Sequence, residues 1–225
     1  TGGVTVNPSF TTTQIQNAIA ANTHVFASGG TYVCTNPINV LTNKKFIGVA
    51  GETPIFDFHT NNLTTGFRQS TGSTLANVIQ DGASTYGVVN YELSSNTYTS
   101  NILCFQVVSR KTGWYSTSST AGIAFLFSQG GTGNMCVTCQ AEDSWNLLGS
   151  PNQNGGNSDG FTTNFGAGLT SYIDCISNNN GDDGFDCWHA GAMVYYYYTV
   201  ARNNAQVAGK TNDGNGNGYK LGELS

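Results

Sequence analysis

Ser158-Asp-Gly-Phe161, Asp182-Asp-Gly-Phe185 and Gly216-Asn-Gly-Tyr219 are three versions of one four-residue phrase. Aligned on Gly160, Gly184 and Gly218, they recur at steps of 24 and 34 residues. A second phrase keeps the same register. Cys175-Ile-Ser-Asn-Asn matches Thr199-Val-Ala-Arg-Asn 24 residues on, and Cys139-Gln-Ala-Glu-Asp precedes the first by 36. A basic step of 24 that tolerates insertions fits an all-β solenoid with three short strands per turn, a right-handed parallel β-helix. The extra residues fall in loops such as Gly149 to Asn157 and Ala208 to Gly214. Asn178-Asn-Asn180 and Asn203-Asn204 are turn residues that tolerate left-handed backbone, and on stacked turns they form an Asn ladder.

Outward from this repeat the chain keeps the same character. Thr31-Tyr-Val-Cys, Pro37-Ile-Asn-Val-Leu, Lys45-Phe-Ile-Gly-Val and Pro54-Ile-Phe-Asp-Phe read as short strands separated by turn residues. Before them, residues 11–21 carry Ile15, Ala18 and Ile19 at helical spacing, with Thr13 and Gln16 as a capping box. That short helix caps the open end of the solenoid and hides its first edge. The composition agrees: 29 Gly, only 9% charged residues and 12% aromatics argue against both a helical bundle and a disordered chain. One β-helix domain over residues 1–225 is expected.

The net charge of −5 disfavours a nucleic-acid partner, and no apolar run is long enough to span a membrane. The six Cys point to a secreted protein with disulfides, with Cys139–Cys175 and Cys175–Cys187 as candidate pairs. The start at Thr1 fits a processed extracellular chain, and Asn62-Leu-Thr64 is a glycosylation sequon. Cys136-Val-Thr-Cys139 lacks the second pair that a zinc site needs and the helix that a redox motif needs.

No Lys or Arg occurs between Lys111 and Arg202, yet Glu142, Asp143, Asp159, Asp174, Asp182, Asp183 and Asp186 lie in that gap. If Gly160 stacks on Gly184, Asp159 stacks on Asp183 one rung away, with Asp182 and Asp186 beside them. Four such carboxylates repel and raise one another's pKa, and a hard cation, Ca²⁺ by its oxygen donors, relieves them. Lys220 falls in the column of Asp186 on the next rung. A cation beside it lowers its pKa and makes it a general base; the plain alternative is a salt bridge to Asp186. Phe161, Phe185 and Tyr219 read as an interior aromatic stack. In Tyr195-Tyr-Tyr-Tyr198 every second ring must face out. Trp188 and His189, just past the acids, together with Arg202 and Lys210, are the candidates for contacting a ligand.

Asn157-Ser-Asp-Gly-Phe161, Gly181-Asp-Asp-Gly-Phe-Asp186 and Gly216-Asn-Gly-Tyr-Lys-Leu-Gly222, in this order, resemble the motifs of family 9 polysaccharide lyases, over roughly residues 155–222. The resemblance implies a calcium-dependent pectate lyase. Asp159, Asp182, Asp183 and Asp186 then hold Ca²⁺, and Lys220 takes the C5 proton of a polygalacturonate residue, after which the C4–O bond breaks. The chain ends five residues past Lys220, inside a rung. Further coils, or a neighbouring copy stacked end to end, are therefore expected to cover an otherwise monomeric protein. Two other readings stand beside the lyase. A polygalacturonase-type hydrolase would use Asp159, Asp182 and Asp183 as acid and base, but its Gly-His-Gly and Arg-x-Lys motifs are absent. A non-catalytic β-helix would instead polymerise into a filament or wall layer.

Overall fold

The computed structural model describes residues 3–92, 97–114, 122–145, 158–205 and 216–222. Lys210 and the loops Gly149 to Asn157 and Ala208 to Gly214 lie outside them. The chain visits three parallel sheets in rotation, of eight, seven and seven strands. From His24 onward each coil lays one strand on each sheet, which is the right-handed parallel β-helix. The register is that of the repeat: Phe161 pairs with Phe185 and Phe185 with Tyr219, while Gln140, Ile176 and Val200 follow one another on a second sheet.

In a solenoid of equal rungs, identical side chains meet at the strand spacing. Phe125, Phe161, Phe185 and Tyr219 stack nearly parallel, with ring centroids 4.8, 4.9 and 5.0 Å apart. Tyr172 meets Phe161 edge-on at 5.3 Å and stacks on Tyr196 at 5.6 Å. Of the tyrosine run, Tyr197 and Tyr198 are exposed, and Tyr198 is a left-handed bend residue.

Left-handed backbone turns the corners. Lys111, Asp143, Asn179 and Asn203, one per coil, have φ between 54° and 57°. The residues that follow build the expected ladder inside the coil: Ser144 N donates to Asn180 Oδ1 at 3.0 Å, and Asn180 N donates to Asn204 Oδ1 at 3.2 Å. Cys136-Val-Thr-Cys139 is another corner, bent at Thr138 with φ 53°.

The helix spans Thr12–Ala21 and buries Ile15 and Ile19. Its capping box is Thr11 with Gln14, two residues earlier than Thr13 with Gln16. Gln16 is engaged elsewhere. Its amide donates to Asn39 O at 3.0 Å and accepts from Asn39 N at 2.9 Å, closing the edge strand Ile38–Val40 as a further strand would. Thr11→Ala removes the cap and is expected to cost about 1 kcal/mol. In a domain of this size that reads as a melting shift of about 2–4 °C.

The expected disulfides do not form: all six cysteines are free thiols. Cys139 and Cys175 do occupy equivalent positions on adjacent rungs, but their thiols turn to the carbonyls of Cys104 and Cys136, at 3.4 and 3.5 Å. Rungs are ~4.8 Å apart, whereas a disulfide needs Cβ atoms ~3.8 Å apart. Cys175 and Cys187 sit on different faces of the coil, Cys175 ahead of Ile176–Asn178 and Cys187 inside Phe185–Trp188.

Candidate metal centre and active site

The repeated phrase works as a device for aiming side chains. On the sheet carrying Phe161–Asn164, Phe185–Trp188 and Tyr219–Leu221, each strand begins at a corner glycine. A Cβ at Gly160 would lie 2.3 Å from Ser177 Oγ and 2.7 Å from Gly184 O, so the corner closes only around glycine. Because glycine and the next aromatic both face the interior, the residue before the glycine faces out, as does the residue after the aromatic. Those outward positions are Asp159 and Asp183 before the glycines, then Thr162, Asp186 and Lys220 after the rings.

One carboxylate oxygen of each leading aspartate ties its rung to the next. Asp159 Oδ1 accepts from Asp183 N at 3.1 Å, and Asp183 Oδ1 accepts from Asn217 N at 3.0 Å and Asn217 Nδ2 at 2.9 Å. Thr162 Oγ1 donates to Asp159 Oδ2 at 3.0 Å. Lys220 Nζ donates to Asp186 Oδ2 at 3.2 Å. Among the described residues, buried Asp183 Oδ2 meets only the charge of Lys220 Nζ, 3.2 Å away, without a hydrogen bond, and buried Asp186 Oδ1 has no partner.

Asp159, Asp183 and Asp186 thus bring carboxylate oxygens within 4.8 Å of one another. Asp182 is buried beside them but outside this close group. Burial first, then the charges of Asp186 and Asp182, pushes the Asp159 carboxyl well above its usual range. Burial lifts Asp186 to about 6, against the pull of Lys220. For Lys220 burial lowers the pKa, but contact with Asp186 and Asp183 outweighs burial and, with no ion bound, the net shift is upward.

The donor set fits a hard divalent cation. Among the described residues it consists of acid oxygens, two of them buried without hydrogen bonds, which costs stability that an ion would recover. Native Asp186 holds its proton up to about 6, against 3.8 for the ordinary side chain, so the native state binds more protons across that window and its stability falls as pH rises through it. In chelator, the melting temperature is therefore expected to drop between those two pH values. Added Ca²⁺ is expected to raise it at alkaline pH and to have little effect in acid.

A cleft of about 250 Å³ opens beside the carboxylates, lined by Asp159, Asp186, Asn164, Phe165, Trp188 and Tyr98 among others. Trp188 is exposed and meets Phe165 edge-on at 5.7 Å. His189 lies behind Trp188, ring centroids 4.6 Å apart, and is absent from the lining. Arg202 is not brought to the site. It sits on the sheet of Ile176–Asn178, its Nε donating to Asn178 Oδ1 at 3.2 Å. Phe165, Tyr98 and Tyr86 were missed by sequence reasoning. Tyr86-Gly87 does carry a signal, since Tyr86 stacks through Ile123 onto the column of Asp159.

A family model described as Pel9A-like, right handed beta helix region, matches residues 1–225. No curated protein matches the sequence. Among solved structures, pectate lyase Pel9A superposes with a TM-score of 0.75 at 18% identity, over 99% of this chain and 60% of that one. A rhamnogalacturonan lyase superposes with a TM-score of 0.68 at 19% identity, over 99% of this chain and 63% of that one. The chain therefore spans less than two thirds of either neighbour's length, and at these identities the likeness shows the fold. With the family model covering every residue and the corner-glycine coils in place, this chain belongs to the Pel9A-like right-handed β-helix family.

Proposed function

We propose that the protein is a secreted polysaccharide lyase that cleaves polygalacturonate by β-elimination. Asp159, Asp183 and Asp186, with Asp182 beside them, would hold Ca²⁺, and Lys220 would be the base. The observation that carries the reading is the position of Lys220 Nζ, 3.2 Å from oxygens of both Asp183 and Asp186 and partly open to solvent. The ion, when bound, supplies charge that offsets the two aspartates and neutralises a uronate carboxylate, which acidifies the neighbouring C5–H. The remaining work is the protein's own. Lys220 accepts the C5 proton, the C5–H electron pair becomes the C4–C5 double bond, and the C4–O bond breaks with its pair leaving on the glycosidic oxygen, which takes a proton from solvent. The aspartates hold the amine in place, and Trp188 and Phe165 offer the sugar an apolar wall. Because Lys220 must first lose its proton, turnover is expected to rise with pH into the alkaline range.

The hydrolase alternative is disfavoured by sequence: the Gly-His-Gly and Arg-x-Lys motifs of polygalacturonase-type enzymes are absent. The test is incubation with polygalacturonate, and in parallel with rhamnogalacturonan, with and without chelator. Calcium-dependent ultraviolet absorbance from the new double bond supports the lyase. New reducing ends without that absorbance support the hydrolase. Absence of both points to a non-catalytic β-helix.

A further inference from the structure

The phrase that aims Asp186 and Lys220 occurs once more, far upstream, as Thr65-Gly66-Phe67-Arg68. Phe67 belongs to the interior column through Val88, Phe125 and Phe161. Gly66 sits at the same kind of corner, where a Cβ would lie 2.6 Å from Gly87 O. Arg68 therefore stands in the outward column that runs on through Val89, Leu126, Thr162, Asp186 and Lys220. Four rungs separate Arg68 from Asp186, about 19 Å at the strand spacing.

Between these two points the face is hollowed rather than flat. A cavity of about 220 Å³ beside Arg68 is walled by Thr65, Tyr86, Tyr91 and Tyr98. It adjoins the cleft at the aspartates, since Tyr86, Tyr98 and Leu126 line both. On its other side Arg68 lines a third cavity, of about 310 Å³, with Gln16, Asn17 and Asn39. Among the described residues the three cavities follow one another as a trough, with the acids at one end, tyrosines midway, and a cation and amides at the other. Arg68 is half-buried, desolvation disfavours its charge, and no described carboxylate reaches it.

We propose that this trough binds an extended acidic polysaccharide and that Arg68 grips a uronate carboxylate remote from the bond being cleaved. The assignment rests on the polyuronate reading given above and adds a specificity residue to it. A planar guanidinium is matched to a carboxylate by paired N–H donors. A rung is close to the length of one sugar in an extended 1,4-linked chain, so a substrate must have about five residues to touch Arg68 and the aspartates together. Trigalacturonate cannot reach both.

The experiment compares the wild type with Arg68→Gln, which keeps much of the side-chain stem, and Arg68→Lys, on polygalacturonate and on trigalacturonate. Arg68→Gln is expected to raise KM for the polymer about 10- to 150-fold, the range of a lost hydrogen-bonded charge. Its kcat, its rate on the trimer and its melting temperature stay unchanged, and Lys recovers part of the loss. An unchanged polymer KM, or an equal loss on the trimer, overturns the role of Arg68. If the wild type turns over neither substrate, the lyase reading fails, and migration in gels containing polygalacturonate decides separately for the trough. Retardation of the wild type that Arg68→Gln abolishes supports it, and unretarded wild type overturns it.

Discussion

Lys220→Ala is expected to lower polygalacturonate turnover by about 10²–10⁴-fold, the contribution of a positioned general base, while calcium binding survives. Lys220 is the only described cation touching the carboxylate group, through Asp183 and Asp186 at 3.2 Å. Its removal takes away an amine and leaves every carboxylate oxygen in place. Calcium affinity measured by titration calorimetry is expected to hold or to tighten, because a competing positive charge has gone. Turnover and affinity should therefore separate in this variant, and Asp183→Asn should lose both. If Lys220→Ala keeps wild-type turnover, the amine is only a salt-bridge partner and the base lies elsewhere.

Phe161→Ala carries the largest expected loss of stability. Phe161 is fully buried, between Phe125 at 4.8 Å and Phe185 at 4.9 Å, with Tyr172 edge-on at 5.3 Å. Truncating such a ring costs about 3–5 kcal/mol. At about 2–4 °C per kcal/mol, the melting temperature falls by about 6–20 °C. The stack cannot collapse into the gap, because each ring belongs to a strand held at fixed spacing by the ladder. Since Asp159 and Gly160 lead directly into Phe161, the loss reaches the carboxylates, and weaker calcium binding is expected to accompany it. A melting temperature within about 2 °C of wild type, well short of what emptying a packed core position costs, would show that the column is not the core of this region.

The legible part of this molecule was the part without insertions. Gly160 and Gly184 lie one uninterrupted coil apart, so the phrase around them shows both the period and the register, and from the register follow the facing carboxylates and the column of Lys220. The rung of Phe125 was hidden because its leading residues are Ile123-Ala124 instead of Asp-Gly and because residues 146–157 separate it from the next. Arg68 was hidden in the same way, by the distance to the nearest recognisable copy of its own phrase. The helix cap slipped by two residues because Thr13 and Gln16 satisfy the local pattern, and only the sheet edge at Asn39 reveals where Gln16 is used. Cysteine counting failed for a geometric reason: equivalent positions on a solenoid are neighbours, but at a spacing that a disulfide does not span.

The latch made by Asp159 Oδ1 on Asp183 N, and by Asp183 Oδ1 on Asn217 N, has a bearing on protein engineering. The groups that would grasp a cation also fasten one winding to the following one, so recognition and masonry share atoms. Transplanting this centre into another scaffold by copying side chains alone would leave those oxygens without their amides and free to swing. The portable unit is three consecutive windings, glycine corners included.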